Sequence, residues 1–172
     1  ECLVVGPGMR TGMNVRIDDP GTLAGKVLRL ERDGRPAAAN PFLGRPGARP
    51  EVFSYGHRNP QGLAFDSQGR LWEQEFGNNV MDETNLVVKG GNYGGPACEG
   101  TTGECDNPEF VAPVQTYPVA QASCSGIAIV DDVLYIACLR GARIYRADIS
   151  GTSLTNVQQY LNGTYGRLRT VE

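Results

Sequence analysis

Two stretches of the sequence, "GLAFDSQGRLWEQEFG" at residues 62–77 and "GIAIVDDVLYIACLRG" at residues 126–141, follow one pattern about 64 residues apart. Each begins with a glycine and an apolar triplet, passes through a polar turn, and ends in an apolar strand that carries an aromatic residue. A second pair, 25–34 and 142–151, consists of an alternating strand closed by a polar turn. Repeated short strand units are typical of the blades of a β-propeller. A β-sandwich with accidental similarity is the alternative.

The rest of the chain also alternates apolar and polar residues with a period of two, which predicts β-strands. Helical periodicity is nearly absent, because Pro20, Gly21 and Gly25 interrupt the one candidate segment. Strands are predicted at 25–32, 51–55, 62–66, 70–76, 83–88, 126–130, 133–138, 142–148 and 166–171. The predicted fold class is all-β, with about three four-stranded blades.

Composition limits the possible classes of function. The 172 residues suffice for one domain with a core, and 23 glycines and 11 prolines indicate many turns. A net charge of −3 argues against nucleic acid as the main partner. No apolar run reaches the roughly 18 residues that a membrane span needs. Since the chain starts and stops inside apparent strands, we expect 1–172 to be one partial propeller domain, truncated at both ends.

Five cysteines suggest disulfide chemistry. Cys98 and Cys105 bracket a short polar loop, and Cys124 and Cys138 lie on adjacent predicted strands, so each pair is a candidate disulfide. Cys2 is left over. Disulfides would place the protein in an oxidising compartment, either secreted or periplasmic. Buried free thiols in a cytosolic protein are the alternative.

Three segments in this order and spacing, "GKVLRLERDGRPAAANPF", "SYGHRNPQGLAF" and "DETNLVVKGGNYG", resemble the soluble quinoprotein glucose dehydrogenases. Aldose sugar and sorbosone dehydrogenases share the pattern. The resemblance runs over nearly the whole chain and is weakest at 1–20 and 97–122. It implies part of a six-bladed β-propeller that binds pyrroloquinoline quinone (PQQ) and calcium. It also implies oxidation of an aldose sugar at C1 to the lactone, with electrons passed to an external acceptor.

The resemblance assigns cofactor contacts to five residues: Arg58, Asn59, Arg140, Arg167 and Arg169. Arginine suits a planar tricarboxylate quinone, because its charge is permanent and its fork grips a carboxylate with two hydrogen bonds. Arg167 and Arg169 are two residues apart on a predicted strand, so both side chains would leave the same face. Arginines on a solvated strand face are the alternative.

By the same resemblance, the backbone carbonyls of Gly77 and Asn78 face a calcium ion on the cofactor side, and Glu83 with Tyr93 forms a second ion-binding pair. Calcium prefers such hard oxygen ligands. Asp82 adds negative charge beside Glu83, and the alternative for both is a solvent-exposed turn. The glycines of "KGGNYGG" are expected to supply backbone conformations with positive φ.

The catalytic residues are not identified by the sequence. The reaction needs a base, which the family supplies as a histidine from an earlier blade, whereas His57 matches a different family position. His57 is therefore expected to pack or to support the site, and the base to lie outside the 172 residues. Phe76, Asn78 and Gly95 depart from the family's Gln or His, Pro and Trp. These departures indicate either a divergent subgroup with another substrate or a propeller that has lost the cofactor. Phe76 and Gly95 favour the alternative function, a non-catalytic extracellular propeller that binds sugar or a protein partner.

Overall fold

The structure is a computed structural model that describes residues 2–8 and 16–172. These residues form thirteen β-strands and one short 3₁₀ helix, which confirms the all-β prediction. The strands are β1 Cys2–Val5, β2 Val27–Leu30, β3 Val52–Ser54, β4 Pro60–Phe65, β5 Leu71–Glu75, β6 Met81–Val87, β7 Cys98–Glu99, β8 Thr102–Gly103, β9 Gln115–Pro118, β10 Cys124–Val130, β11 Val133–Cys138, β12 Arg143–Ser150 and β13 Ser153–Tyr160, and the 3₁₀ helix is Val119–Gln121.

The chain divides into two compact units. The first unit comprises Glu1–Pro60 and Val87–Ala112. It contains a three-stranded antiparallel sheet in the order β1-β2-β3 and a two-stranded ribbon, β7-β8. A disulfide between Cys98 and Cys105 closes the ribbon, as the cysteine spacing predicted.

Lys26 is the most unusual buried residue of the first unit, because its side chain is fully excluded from solvent. Its Nζ donates hydrogen bonds to the carbonyls of Ile17 at 2.8 Å and Ala24 at 2.6 Å. Burial lowers the pKa of this ammonium to about 8. The two carbonyl partners make the burial tolerable, since an unbonded buried cation would cost far more.

The second unit comprises Gln61–Leu86 and Pro113–Glu172. It contains two four-stranded antiparallel sheets, in the orders β4-β5-β6-β9 and β10-β11-β12-β13. The repeat at 62–77 and 126–141 supplies the first two strands of each sheet, so the internal repeat of the sequence is confirmed in structure. A turn at Asp131 and Asp132, both with positive φ, joins β10 to β11.

The two sheets of the second unit share one apolar core. Its buried members are Trp72, Tyr117, Ala122, Cys124, Ile127, Leu134, Ile136, Cys138 and Tyr145. The sheets approach closely at Gly62, where an added Cβ would lie 2.6 Å from the carbonyl oxygen of Ser125. A side chain there would push β4 away from β10, so glycine is required for this packing.

Asp66 fixes the turn between β4 and β5. Its Oδ1 accepts hydrogen bonds from the amides of Gln68 at 3.0 Å and Arg70 at 2.9 Å. Its Oδ2 accepts from Arg70 Nε at 2.7 Å and from Trp72 Nε1 at 2.9 Å. Burial opposes ionisation of this carboxyl, but the hydrogen bonds from Trp72 and Arg70 outweigh it and hold the pKa below its usual value.

Several strand assignments differ from the sequence prediction: β7, β8, β9 and β13 were not predicted, and one predicted strand is not formed. Residues 166–171 were predicted as a strand, and this is wrong: the segment has no strand structure, although the Leu168 amide donates to the Cys138 carbonyl. The strand β13 was not predicted, because its residues are exposed on both faces and do not alternate. No helix of the described residues is long and apolar enough to cross a membrane.

Candidate cofactor site

In the second unit, three predicted cofactor-binding residues lie on segments that adjoin the strands joined by the disulfide between Cys124 and Cys138. Arg140 follows Cys138 by two residues in the turn after β11. The segment with Arg167 and Arg169 is held beside the same strands by two backbone hydrogen bonds, from Leu168 N to the Cys138 carbonyl at 3.3 Å and from Gly126 N to the Arg169 carbonyl at 2.9 Å.

The three arginine side chains are exposed, and within residues 2–8 and 16–172 none of them forms an ion pair. Arg169 makes one long hydrogen bond of 3.5 Å to Gln61 Oε1. The turn that carries Arg140 is fixed at both sides. The amide of Leu139 donates a 2.9 Å hydrogen bond to the carbonyl of residue 123, and the amide of Gly141 donates one of 2.9 Å to the carbonyl of residue 122. This end of the unit therefore presents three guanidinium groups on anchored backbone.

The predicted calcium loop connects to the same disulfide through Asp82. Asp82 Oδ1 accepts a 3.1 Å hydrogen bond from the amide of Gly77, which is buried, and Oδ2 accepts a 2.8 Å bond from the amide of Cys124. Asn78, the next residue of the loop, is exposed. Burial raises the pKa of Asp82 to about 6, against the opposing effect of its amide donors. Asp82 is 1% exposed, so the alternative of a solvent-exposed turn is wrong.

Glu83, a predicted calcium ligand, is buried in a group of carboxylates that the sequence analysis missed. The Nδ2 of Asn85 donates to Glu73 Oε2 at 3.1 Å, to Glu75 Oε1 at 3.1 Å and to Glu83 Oε2 at 3.3 Å. Burial, followed by the Glu75 carboxylate, raises the pKa of Glu73 well above its usual value. The sequence held a signal, since polar residues two apart in "EQE" and "ETN" lie on one face of each strand.

The other predicted site residues belong to the first unit. Arg58 and Asn59 are half-buried in the loop that precedes β4, and the Asn59 side chain occupies the space where a Cβ on Gly8 would stand. Tyr93 is buried, and its hydroxyl accepts a 2.9 Å hydrogen bond from the amide of Val88. The pairing of Tyr93 with Glu83 and the approach of Arg58 to the other arginines remain predictions.

His57 is fully buried in the first unit. Its Nε2 lies 2.8 Å from Ser54 Oγ, and its ring stacks on Tyr93 with the centroids 4.2 Å apart. His57 is thus held on a buried hydroxyl and an aromatic face. Its role as a packing or supporting residue stays a prediction.

The glycines of the "KGGNYGG" loop serve two different purposes. Gly90 and Gly94 have positive φ, as expected. Gly91 and Gly95 do not, which corrects the expectation for them: at Gly95 an added Cβ would lie 2.6 Å from the Gly56 carbonyl oxygen. The tryptophan that the family has at this position does not fit the backbone here. Beside Gly95 lies a cavity of about 240 Å³, lined by Asp18, Tyr55, Asn92, Gly94, Gly95, Pro96, Ala97 and Phe110.

Four-stranded antiparallel sheets repeated along an all-β chain, with loop residues gathered at the strand ends, are characteristic of the β-propeller class. The family model for glucose and sorbosone dehydrogenases matches residues 1–172, so the chain belongs to that family.

Similar proteins agree with this assignment. The chain is 50% identical over 82 residues to quinoprotein glucose dehydrogenase B of Acinetobacter calcoaceticus. The aligned segment covers 48% of this chain and 17% of that protein. It is 46% identical over 79 residues to an aldose sugar dehydrogenase of Escherichia coli, covering 45% of this chain and 21% of that protein.

Among solved structures, the PQQ-bound aldose sugar dehydrogenase of Streptomyces coelicolor superposes with a TM-score of 0.86 at 41% identity, over 98% of this chain and 51% of that one. The chain thus spans about half the length of this solved structure and 17% and 21% of the two curated relatives named above. The prediction of a partial propeller is confirmed.

Proposed function

We propose that the protein is a PQQ- and calcium-dependent dehydrogenase that oxidises aldose sugars at C1 to the lactone. The observation that carries this proposal is the set of three exposed arginines, Arg140, Arg167 and Arg169, held on anchored backbone around the disulfide of Cys124 and Cys138. The relatives named above are sugar dehydrogenases, and one of them is PQQ-bound.

The arginines fit the cofactor by charge and geometry. PQQ carries three carboxylates on a planar ring, and each guanidinium offers two parallel donors to a carboxylate. Since Arg140, Arg167 and Arg169 form no ion pair with the described residues, their charges are available to an anionic ligand. Arg58 and Asn59 are proposed as the further contacts that the family resemblance implies.

The donor set also fits calcium, which prefers carboxylate and carbonyl oxygens. The carbonyls of Gly77 and Asn78 are proposed ligands of the ion on the cofactor side, where Asp82 anchors their loop. Glu83 and Tyr93 are the proposed second pair, and Glu75 stands beside Glu83 in the buried carboxylate group. When bound, the cofactor and its ion supply a two-electron oxidant, and the protein's residues supply its position.

The general base is proposed to lie outside these 172 residues. His57 is the one histidine of the sequence, and its ring is committed to Ser54 and Tyr93 inside the first unit. An external acceptor would reoxidise the cofactor. Two disulfides favour an oxidising compartment, so we propose that the protein is secreted or periplasmic.

Titration of the full-length protein with PQQ, with and without calcium, tests the proposal through quinone absorbance. We expect saturable, calcium-dependent binding that the double variant Arg167→Ala, Arg169→Ala weakens by at least about a hundredfold, since each lost charge-assisted contact is worth roughly 1.5–3 kcal/mol. The double variant Arg32→Ala, Arg35→Ala removes the same charge from the first unit and should bind normally. Absence of binding at every calcium concentration would refute the proposal.

A non-catalytic propeller that binds sugar or a protein partner is the second candidate. The observation that favours it is Gly95, whose close approach to Gly56 leaves no room for the family's tryptophan. Phe76, which is half-buried where the family has a polar residue, also favours this candidate. This candidate predicts sugar binding by calorimetry without any binding of PQQ.

A further inference from the structure

Asp82 occupies a junction between parts of the chain that are distant in sequence. It is the second residue of β6, and it is 42 residues from Cys124, to which it is hydrogen bonded. One carboxylate oxygen accepts from Gly77 and the other from Cys124, so both oxygens of the group are used. Because its donors are backbone amides, the contact fixes the main chain of the Gly77 loop and of the first residue of β10 at once.

The junction continues through covalent and backbone bonds to the arginine segment. Cys124 is joined to Cys138 by the disulfide, and the carbonyl of Cys138 accepts a hydrogen bond from Leu168. Leu168 lies between Arg167 and Arg169. A continuous series of bonds therefore runs from the Gly77 amide, through Asp82 and the disulfide, to the segment that carries the two arginines.

We propose that Asp82 is a positioning residue of the cofactor site, which holds the Gly77 loop in register with the Arg167–Arg169 segment through the disulfide. This inference rests on the proposed function, because it concerns the two halves of that binding site. A carboxylate suits this position, since Oδ1 accepts from the Gly77 amide and Oδ2 accepts from the Cys124 amide, so both of its ends must be acceptors. An asparagine would turn its NH₂ group toward one of these amides, and two donors would then face each other.

The test is the Asp82→Asn variant of the full-length protein, compared with Asp66→Asn. Asp66 is the control, because it is also a buried aspartate, lies near the other end of β5, and is hydrogen bonded to no predicted site residue. Binding of PQQ is titrated at several calcium concentrations, at a temperature where circular dichroism shows each variant to be folded. Amide hydrogen exchange at Leu168 is measured in the absence of cofactor.

We expect Asp82→Asn to weaken PQQ binding at least about tenfold, to raise the calcium concentration needed for half-saturation, and to accelerate exchange at Leu168. Asp82 does not touch Leu168, so faster exchange there reports transmission through the disulfide. Asp66→Asn should lower stability and leave these three quantities unchanged. If Asp82→Asn does not fold, Asp82→Glu replaces it in the test. This variant keeps both oxygens but displaces them by one methylene, so we expect it to change the same three quantities in the same direction and by less.

Two results would overturn the inference while the proposed function stands: wild-type affinity in Asp82→Asn, or an equal loss of affinity in Asp66→Asn. Absence of PQQ binding by the unsubstituted protein is a different result. It would overturn the proposed function, and the inference with it.

Discussion

Asp66 and Asp82 are two buried aspartates, 6% and 1% exposed, that serve opposite ends of the strand β5 in one unit. Asp66 is matched by the Arg70 guanidinium and the Trp72 indole, and its pKa is lowered. Asp82 is met by backbone amides, and burial raises its pKa to about 6. Burial raises the pKa of both carboxyls, but at Asp66 the hydrogen bonds from Trp72, Arg70 and Gln68 outweigh it, whereas at Asp82 the backbone amide donors do not.

This difference separates a stabilising turn from a candidate site. At the Asp66 end, the carboxylate accepts hydrogen bonds from the side chains of Arg70 and Trp72, which lie four and six residues away in sequence. At the Asp82 end, the loop is fixed by a bond to remote backbone, and Arg140, Arg167 and Arg169 form no ion pair within the part of the chain that the structure describes. Buried polar groups with incomplete charge balance are typical of functional sites.

The largest expected effect concerns the covalent link at the Asp82 end. The double variant Cys124→Ser, Cys138→Ser should lower the free energy of unfolding by at least about 3 kcal/mol, because the bond closes a loop of some 15 residues and two hydroxyls enter the core. Urea denaturation measures the loss. Cys98→Ser, Cys105→Ser removes the shorter, partly exposed disulfide and should cost about 2 kcal/mol. Equal or reversed losses would contradict the role given to the buried disulfide.

A slightly smaller loss is expected at the other end. Asp66→Asn should lower the free energy of unfolding by roughly 2–3 kcal/mol, since it leaves Arg70 without its anion and turns an NH₂ group toward buried donors. The same urea experiment measures it, with Trp72 fluorescence as the signal. A loss below about 1 kcal/mol would show that the hydrogen bonds of this turn add little to stability.

The pH dependence of stability gives a weaker but more specific test of the Asp66 turn. Its pKa is lower in the folded chain than in the unfolded chain, so its contribution is complete above about pH 4 and is lost as the pH falls through the folded value. We expect the difference in unfolding free energy between the unsubstituted protein and Asp66→Asn to shrink between pH 5 and pH 3. A constant difference would mean that the charge of Asp66 is irrelevant.

The smallest effect is expected at Asp132, in the exposed turn after β10. Its carboxylate accepts from the amide of Ser67 at 2.9 Å and from the Ser67 hydroxyl at 2.5 Å. Because these hydrogen bonds are exposed and compete with bonds to water, the urea concentration at the midpoint of unfolding should be nearly the same for Asp132→Asn as for the unsubstituted protein. If Asp132→Asn lowers the free energy of unfolding as much as Asp66→Asn does, burial does not determine how much such hydrogen bonds contribute to stability.

The sequence predicted what depends on local pattern. Alternation located the paired strands of both repeats, and the spacing of cysteines predicted both disulfides. Alternation also misled at 166–171, where "GRLRTV" has the strand pattern but makes only isolated backbone bonds. It missed β13, since an exposed strand has no apolar face to reveal it.

The junction at Asp82 could not be predicted, because its partner Cys124 is 42 residues away and donates through its backbone. Backbone donors leave no signature in residue type. The buried Glu73 and Glu75 were missed for the opposite reason: acidic residues in a strand are usually solvated, and only tertiary packing buries them here.

The chain contains only two lysines, Lys26 and Lys89, and both belong to the first unit. Lys89 is exposed, whereas Lys26 is fully enclosed and bonded to two carbonyls. An amine-reactive reagent should therefore modify Lys89 in the native protein and reach Lys26 only when its enclosure opens. Mass spectrometry of acylated peptides would then count the molecules in which the first unit has opened, without any engineered probe.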